Sequence, residues 1–289
     1  MEWLSLANRV IRRTLIATGV SSEVVRLHDT DVHFYRAERG GRGPPLMLVH
    51  GLGSSANAFF RTLAPLARSF SSVFAVDLPG NGFSPIPGAG PMPVRDQVEL
   101  LLEFRRRIIG EKVFLLGNSL GGGMALNMAF REPDSLRALG LVSPAGAQIT
   151  EERFRQLIES FQVQDAKGAR VLAHKLFVKP PLSLLLFADE LRKMMSSDTV
   201  KSIVAAISTA DLVQGAQLSA LPMPTLLIWG QSEKLLPYEG LDFFRAHLPA
   251  HAEIHEVKGF GHMPQMEHPH AFVERVQKFA VSRGLVQAA

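Results

Sequence analysis

Short runs of β-branched and aliphatic residues alternate along this chain with longer stretches whose apolar positions recur every three or four residues. The first pattern fits buried strands and the second amphipathic helices. Strands are predicted over 24–28, 31–37, 46–50, 73–77, 112–117, 138–143, 225–229 and 252–257. Helices are predicted over 57–69, 94–109, 120–131, 238–247 and 269–283. The first two strands, separated by Asp29-Thr30, read as a hairpin. Strand–helix alternation over the remainder implies an α/β fold, a mostly parallel eight-stranded sheet flanked by helices.

Between the strand ending at Ser143 and the strand starting at Thr225 lie about 80 residues without a strand pattern. A loop of that length is rare in a compact domain unless it carries structure of its own. Helical periodicity over 150–163, 165–177, 182–195 and 197–209 makes it an inserted helical cap. The expected division is an amphipathic N-terminal helix over 1–20, a core formed by 21–145 and 221–289, and a cap over 146–220. The cap is rich in apolar side chains, including Phe154, Leu157, Phe161, Leu172, Leu176 and Phe177, most of which must hold it together. At the N-terminus, Trp3, Leu4, Ala7, Val10, Ile11 and Leu15 share a helical face, with Arg9, Arg12 and Arg13 mostly elsewhere on the wheel. Such a helix packs against its own domain or a dimer partner, or lies on a membrane surface.

Composition narrows the function class. With 46% hydrophobic and 20% charged residues, the 289-residue chain can bury a large core. The 31 basic against 27 acidic residues give only a mild excess, and no basic block interleaved with aromatics suggests nucleic acid as a partner. There is no cysteine, which removes thiol chemistry, leaves serine as the available nucleophile and is compatible with the cytoplasm. The start of the chain lacks the features of a secretory signal, and its arginines argue against a spanning helix. Localisation is therefore expected to be cytoplasmic, with membrane association through the N-terminal helix as an added candidate.

The chemistry centres on Gly117-Asn118-Ser119-Leu120-Gly121, which follows the apolar run 113–116 and opens a helix. A serine on a strand-to-helix turn with glycine two residues to either side is a nucleophile elbow. The hydroxyl needs a base, and the base needs a carboxylate to fix its tautomer. His262, in Gly259-Phe260-Gly261-His262-Met263-Pro264 after the last strand, is the candidate base; the other nine histidines read as surface, strand or helix-terminal residues. Glu233 is the only carboxylate in the loop 230–237 after the strand at 225–229, and is the candidate acid. The alternative is an exposed surface glutamate with the acid supplied elsewhere. Asp189, Asp198 and Asp211 fall in the cap, Asp242 on the next helix, and Asp77 precedes the nucleophile, where it suits a structural turn. The loop Val49-His50-Gly51-Leu52-Gly53-Ser54-Ser55 places the amides of Leu52 and Leu120 as candidate oxyanion donors, with His50 supporting the loop. Each such donor is typically worth about 2.7–4 kcal/mol of transition-state stabilisation. Zinc-protease, P-loop and dinucleotide-binding motifs are missing, so neither a metal nor a cofactor is expected.

Taken in order, HGLGSS at 50–55, DLPGNGFS at 77–84, GNSLGG at 117–122, WGQSEKLLP at 229–237 and GFGHMPQMEHP at 259–269 resemble the α/β-hydrolase fold superfamily. The resemblance implies an eight-stranded sheet, a covering cap and a Ser-His-acid triad on Ser119, His262 and Glu233. The acid in this loop is usually aspartate, so Glu233 is a departure. Within the superfamily, Ser119 argues against haloalkane dehalogenases and epoxide hydrolases, which use aspartate. Hydrolases of meta-cleavage products share a GNS-x-GG elbow but usually carry tryptophan where this chain has Met263. The similarity is greatest to capped carboxylesterases and lipases. The expected function is thus a serine hydrolase acting, through an acyl-enzyme, on a small hydrophobic ester with a moderately hydrophobic acyl group. A carbon–carbon bond hydrolase and a hydrolase-like ligand-binding protein are the alternatives.

Overall fold

The computed structural model describes residues 3–287. Eight strands are present: β1 (Ser21–Leu27), β2 (Thr30–Ala37), β3 (Leu46–Val49), β4 (Val73–Val76), β5 (Val113–Asn118), β6 (Leu136–Val142), β7 (Thr225–Gly230) and β8 (Glu253–Val257). They form one sheet in the order β1-β2-β4-β3-β5-β6-β7-β8. Only the β1–β2 and β2–β4 pairs are antiparallel; from β4 onward every pairing is parallel. The α/β fold class read from the sequence is therefore the observed one. β3, β4, β5 and β7 are buried along their whole length, as strands covered on both faces must be.

The helices are α1 (Trp3–Ala17), α2 (Leu63–Leu66), α3 (Val94–Phe104), α4 (Leu120–Arg131), α5 (Glu151–Phe161), α6 (Ala166–Leu176), α7 (Leu182–Leu186), α8 (Ala188–Met195), α9 (Asp198–Ala206), α10 (Gly215–Ser219), α11 (Tyr238–His247), α12 (Pro264–Glu267) and α13 (Pro269–Ser282). One face of the sheet packs against α3, α4 and α11 through Leu101, Phe104, Met124, Leu241 and Phe244. The opposite face packs against α1, α2 and α13 through Leu15, Leu63, Phe272 and Phe279. This leaves the carboxyl ends of the parallel strands as the open edge on which the loops gather.

Some elements differ from the periodicity. The helix expected over 57–69 is a 3₁₀ turn at Ala56–Phe59 followed by the single turn of α2. Pro65 has no amide to return to residue 61 and is tolerated only in a first helical turn. The helix expected over 182–195 is broken at Phe187, whose backbone leaves helical space while its ring stacks on Trp3 at 5.2 Å. The helix expected over 94–109 ends its regular portion at Phe104 and continues as one wider π turn to Ile109.

Between β6 and β7 the chain forms α5 to α10. Thr150, Asp165 and Ser197 start α5, α6 and α9 by accepting the amides of Arg153, Gly168 and Val200. Leu172, Ala188, Leu191, Met195 and Val200 make a small core for this segment that also takes in Leu235 from the loop after β7. α1 packs against the body of the protein: Leu15 is buried, Asn8 accepts a hydrogen bond from Asn57, and Arg12 donates to Ser22. The free amides of its first turn, at Trp3 and Leu4, donate to the Glu190 carboxylate on α8. An anion at that end also suits the helix dipole.

Candidate active site

Ser119 lies between β5 and α4, with φ 55° and ψ −122°. A non-glycine residue in this region is strained by about 1–3 kcal/mol and is held there by its surroundings. The flanking glycines make the turn sterically feasible. A Cβ on Gly117 would lie 2.1 Å from the Gly121 carbonyl oxygen, and one on Gly121 would lie 2.4 Å from that of Val49. The Ser119 carbonyl is saturated by the amides of Gly122, Gly123 and Ala145, which fixes the residue at the mouth of the helix.

His262 and Glu233 come together 29 residues apart in sequence. The imidazole Nδ1 lies 2.7 Å from Glu233 Oε2, and the two side chains are 2% and 3% exposed. The other carboxylate oxygen, Oε1, accepts the amides of Leu235 and Leu236 at 2.7 and 3.2 Å. Burial alone would raise the carboxyl pKa, but the His262 ring and the Leu235 amide outweigh it and hold Glu233 below its ordinary range. A charged carboxylate on Nδ1 keeps the proton there and leaves Nε2 as the basic nitrogen. Gly230 permits this loop path, since a Cβ there would meet the Phe260 carbonyl at 2.2 Å.

Ser119 and His262 border the same cavity, with no hydrogen bond between hydroxyl and ring. Their backbones are tied by Asn118, whose side-chain amide donates to the carbonyls of Val142 and His262 at 3.1 and 3.0 Å and accepts from Gln265 at 3.1 Å. This clamp between the Ser119 turn and the histidine loop was not evident in the sequence; its only trace there is an amide residue beside Ser119.

The loop after β3 approaches closely: a Cβ on Gly51 would stand 3.1 Å from the Ser119 Cβ. Leu52 lines the cavity beside Ser119, and the Leu120 amide is in the first turn of α4, where helix N–H groups lack internal partners. His50 is fully buried, takes a hydrogen bond from the Leu78 amide on Nε2 at 3.1 Å and gives one from Nδ1 to the Gly51 carbonyl at 2.8 Å. Asp77 is also buried. Its carboxylate accepts the amides of Ala56 and Phe83 at 2.6 and 2.9 Å and pairs with His33 Nδ1 at 2.7 Å. His33, read from the sequence as one of the bystander histidines, is fully buried and bridges Asp77 to Ser22, whose hydroxyl is 2.8 Å from Nε2. This separate Ser-His-Asp array borders neither main cavity through Ser22; it fastens the loops 50–56 and 77–84 to the β1–β2 hairpin.

A parallel sheet with one reversed strand, a strained Gly-x-Ser-x-Gly turn after β5 and a histidine loop after β8 define a hydrolase architecture. The alpha/beta hydrolase fold family profile matches residues 44–269, and the chain belongs to this family. It is 27% identical over 268 residues to the pimeloyl-[acyl-carrier protein] methyl ester esterase of Aeromonas hydrophila, covering 84% of this chain and 97% of that one. It is 28% identical over 283 residues to the 2-hydroxymuconate semialdehyde hydrolase of Pseudomonas sp. strain CF600, covering 93% of each. Among solved structures, a bacterial membrane phospholipase A superposes with a TM-score of 0.84 at 25% identity, over 97% of this chain and 91% of that one.

Proposed function

We propose that the protein is a serine hydrolase that cleaves a carboxylic ester of a moderately hydrophobic acyl group. The observation that carries this reading is the buried 2.7 Å contact between Glu233 and His262 at the edge of the cavity that Ser119 lines. Ser119 Oγ attacks the carbonyl carbon as His262 Nε2 takes its proton. Leu52 and Leu120 amides receive the charge that develops on the carbonyl oxygen, and His262 returns the proton to the departing alcohol. Water, activated by the same imidazole, then hydrolyses the acyl-enzyme and restores Ser119. The esterase among the relatives supports an ester as the bond cleaved. A second reading, hydrolysis of a carbon–carbon bond in a vinylogous diketone, draws on the semialdehyde hydrolase relative. Labelling with a fluorophosphonate probe, followed by p-nitrophenyl esters of increasing acyl length, decides between them. Labelling lost in Ser119→Ala with turnover of the esters supports the ester reading; labelling without turnover of any ester overturns it.

The same reading includes contact with a lipid surface. Leu182 and Leu186 on α7 are 70% and 67% exposed, and Phe187 beside them is exposed as well. Arg9 and Arg13 on α1 and Lys179 before α7 are exposed cations of the sign that anionic headgroups attract. No helix among the described residues is long and apolar enough to cross a membrane, so the contact proposed is peripheral.

A further inference from the structure

The space around Ser119 is forked. A cavity of about 530 Å³ extends to one side between α3, α4 and the inserted segment, walled by Val94, Val98, Ile149, Leu157, Trp229 and Leu236. A second, of about 850 Å³, extends to the other side beneath α1, walled by Leu4, Ala7, Leu184, Met194 and Met263 among others. The two share Leu52, Ser119 and Phe161, so the nucleophile stands at their junction. Most of each wall is apolar, as in sites that bind by burying hydrocarbon.

His262 borders only the larger arm, and Leu120 only the smaller. That asymmetry assigns the arms through the chemistry. The imidazole that removes the Ser119 proton must hand it to the oxygen of the leaving alcohol, so the alcohol has to depart on the His262 side. The acyl group, covalently held by Ser119 while the alcohol leaves, must then occupy the other side.

We infer that the natural substrate is an ester with extended apolar groups on both sides of the scissile bond: an acyl chain in the smaller arm and a long apolar alcohol in the larger arm under α1. This inference rests on the serine-hydrolase reading above and sharpens its substrate class. The bond changes balance with water as the one co-reactant. Ser119 Oγ bonds to the carbonyl carbon, the carbon–oxygen bond to the alcohol breaks, and the serine proton leaves on the alcohol oxygen through Nε2. One water then supplies hydroxyl to the acyl carbon and a proton to Ser119. α1 thereby becomes a specificity element, since Trp3, Leu4, Ala7 and Ile11 line the alcohol arm. Its first turn is held to α8 by Glu190 and by the Trp3–Phe187 stack.

The test is a grid of alkyl esters: methyl, butyl and octyl octanoate to vary the alcohol, and methyl butyrate against methyl octanoate to vary the acyl chain. In the unaltered protein kcat/KM rises along both series, by about fourfold per methylene while an arm is being filled. Ala7→Phe, and independently Ser183→Phe on the facing wall from α7, lower the octyl-to-methyl preference by about tenfold or more, since each intrudes on the alcohol arm. Ile149→Trp lowers the octanoate-to-butyrate preference instead. Thermal melts identify a variant that does not fold, and either of the two alcohol-arm variants is sufficient. A flat alcohol series in the unaltered protein overturns the inference, as does a crossed result in which Ile149→Trp shifts the alcohol preference. Both leave the hydrolase reading standing; no turnover of any ester together with no fluorophosphonate labelling removes that reading and this one with it.

Discussion

Glu233 holds the Nδ1 edge of His262 at 2.7 Å from a loop on the neighbouring strand, with its other oxygen capped by the amides of Leu235 and Leu236. The extra methylene of glutamate is absorbed by this turn: Oε1 caps the amides two and three residues further along while Oε2 reaches the ring.

Replacing Glu233 by Gln keeps the shape but offers the ring either a neutral acceptor or a competing donor. Ester turnover should fall by about ten-thousand-fold in kcat, with the thermal midpoint changed far less. Glu233→Asp should fall between the two, because the shorter side chain cannot reach ring and turn amides together. A Glu233→Gln variant with near-normal kcat would place the acid elsewhere.

His50 predicts a pH dependence of stability. Burial pushes its pKa below the ordinary 6.5, although Asp77 and the Gly51 carbonyl pull the other way. The geometry explains the direction, since Nε2 must remain unprotonated to accept the Leu78 amide. A group whose folded pKa is depressed stabilises the fold above its unfolded pKa and loses that contribution as pH falls toward the folded value. Glu233 acts in the same sense at lower pH, from its ordinary 4.5 downward. Melting curves from pH 8 to pH 5 should therefore show a decline beginning near 6.5 that is shallower in His50→Gln; equal slopes would remove His50 as a source.

Asp77 ties two backbone amides and His33 together beneath the loop 50–56. Asp77→Ala leaves a buried imidazole, the buried Ala56 amide and the half-buried Phe83 amide without their acceptor, and should cost about 3 kcal/mol in chemical denaturation. Because the Ala56 amide anchors the segment carrying Leu52, kcat should fall more than KM changes. A stability loss below about 0.5 kcal/mol would show that the array is dispensable, in the range of ordinary surface substitutions.

The lipid contact is tested by flotation. The full chain should float with vesicles of anionic phospholipid and less with zwitterionic ones, and Leu182→Ser with Leu186→Ser should reduce flotation while hydrolysis of a water-soluble short ester persists. Neither side chain borders the forked cavity. Equal flotation of the double variant and the parent protein would refute the α7 contact, and equal flotation of a variant lacking residues 1–19 would remove α1 from it.

Local sequence determined much of this protein, because the signals involved are short-range. Alternation of period two and of three to four residues sets strand and helix, and the steric demand of a tight elbow leaves glycine at 117 and 121. The order of motifs placed Ser119, Glu233 and His262 at the ends of strands that a parallel sheet must align. What depended on residues distant in the chain was decided by tertiary structure alone. Pairing of β2 with β4 brings His33 onto Asp77, and no local pattern distinguishes that histidine from an exposed strand residue. Likewise, the fork at Ser119 exists only because α1 and the segment between β6 and β7 close over the same strand ends. Burial and hydrogen-bond partnership are properties of the packed chain, and packing sums contacts that periodicity, which reads a few neighbours at a time, does not record.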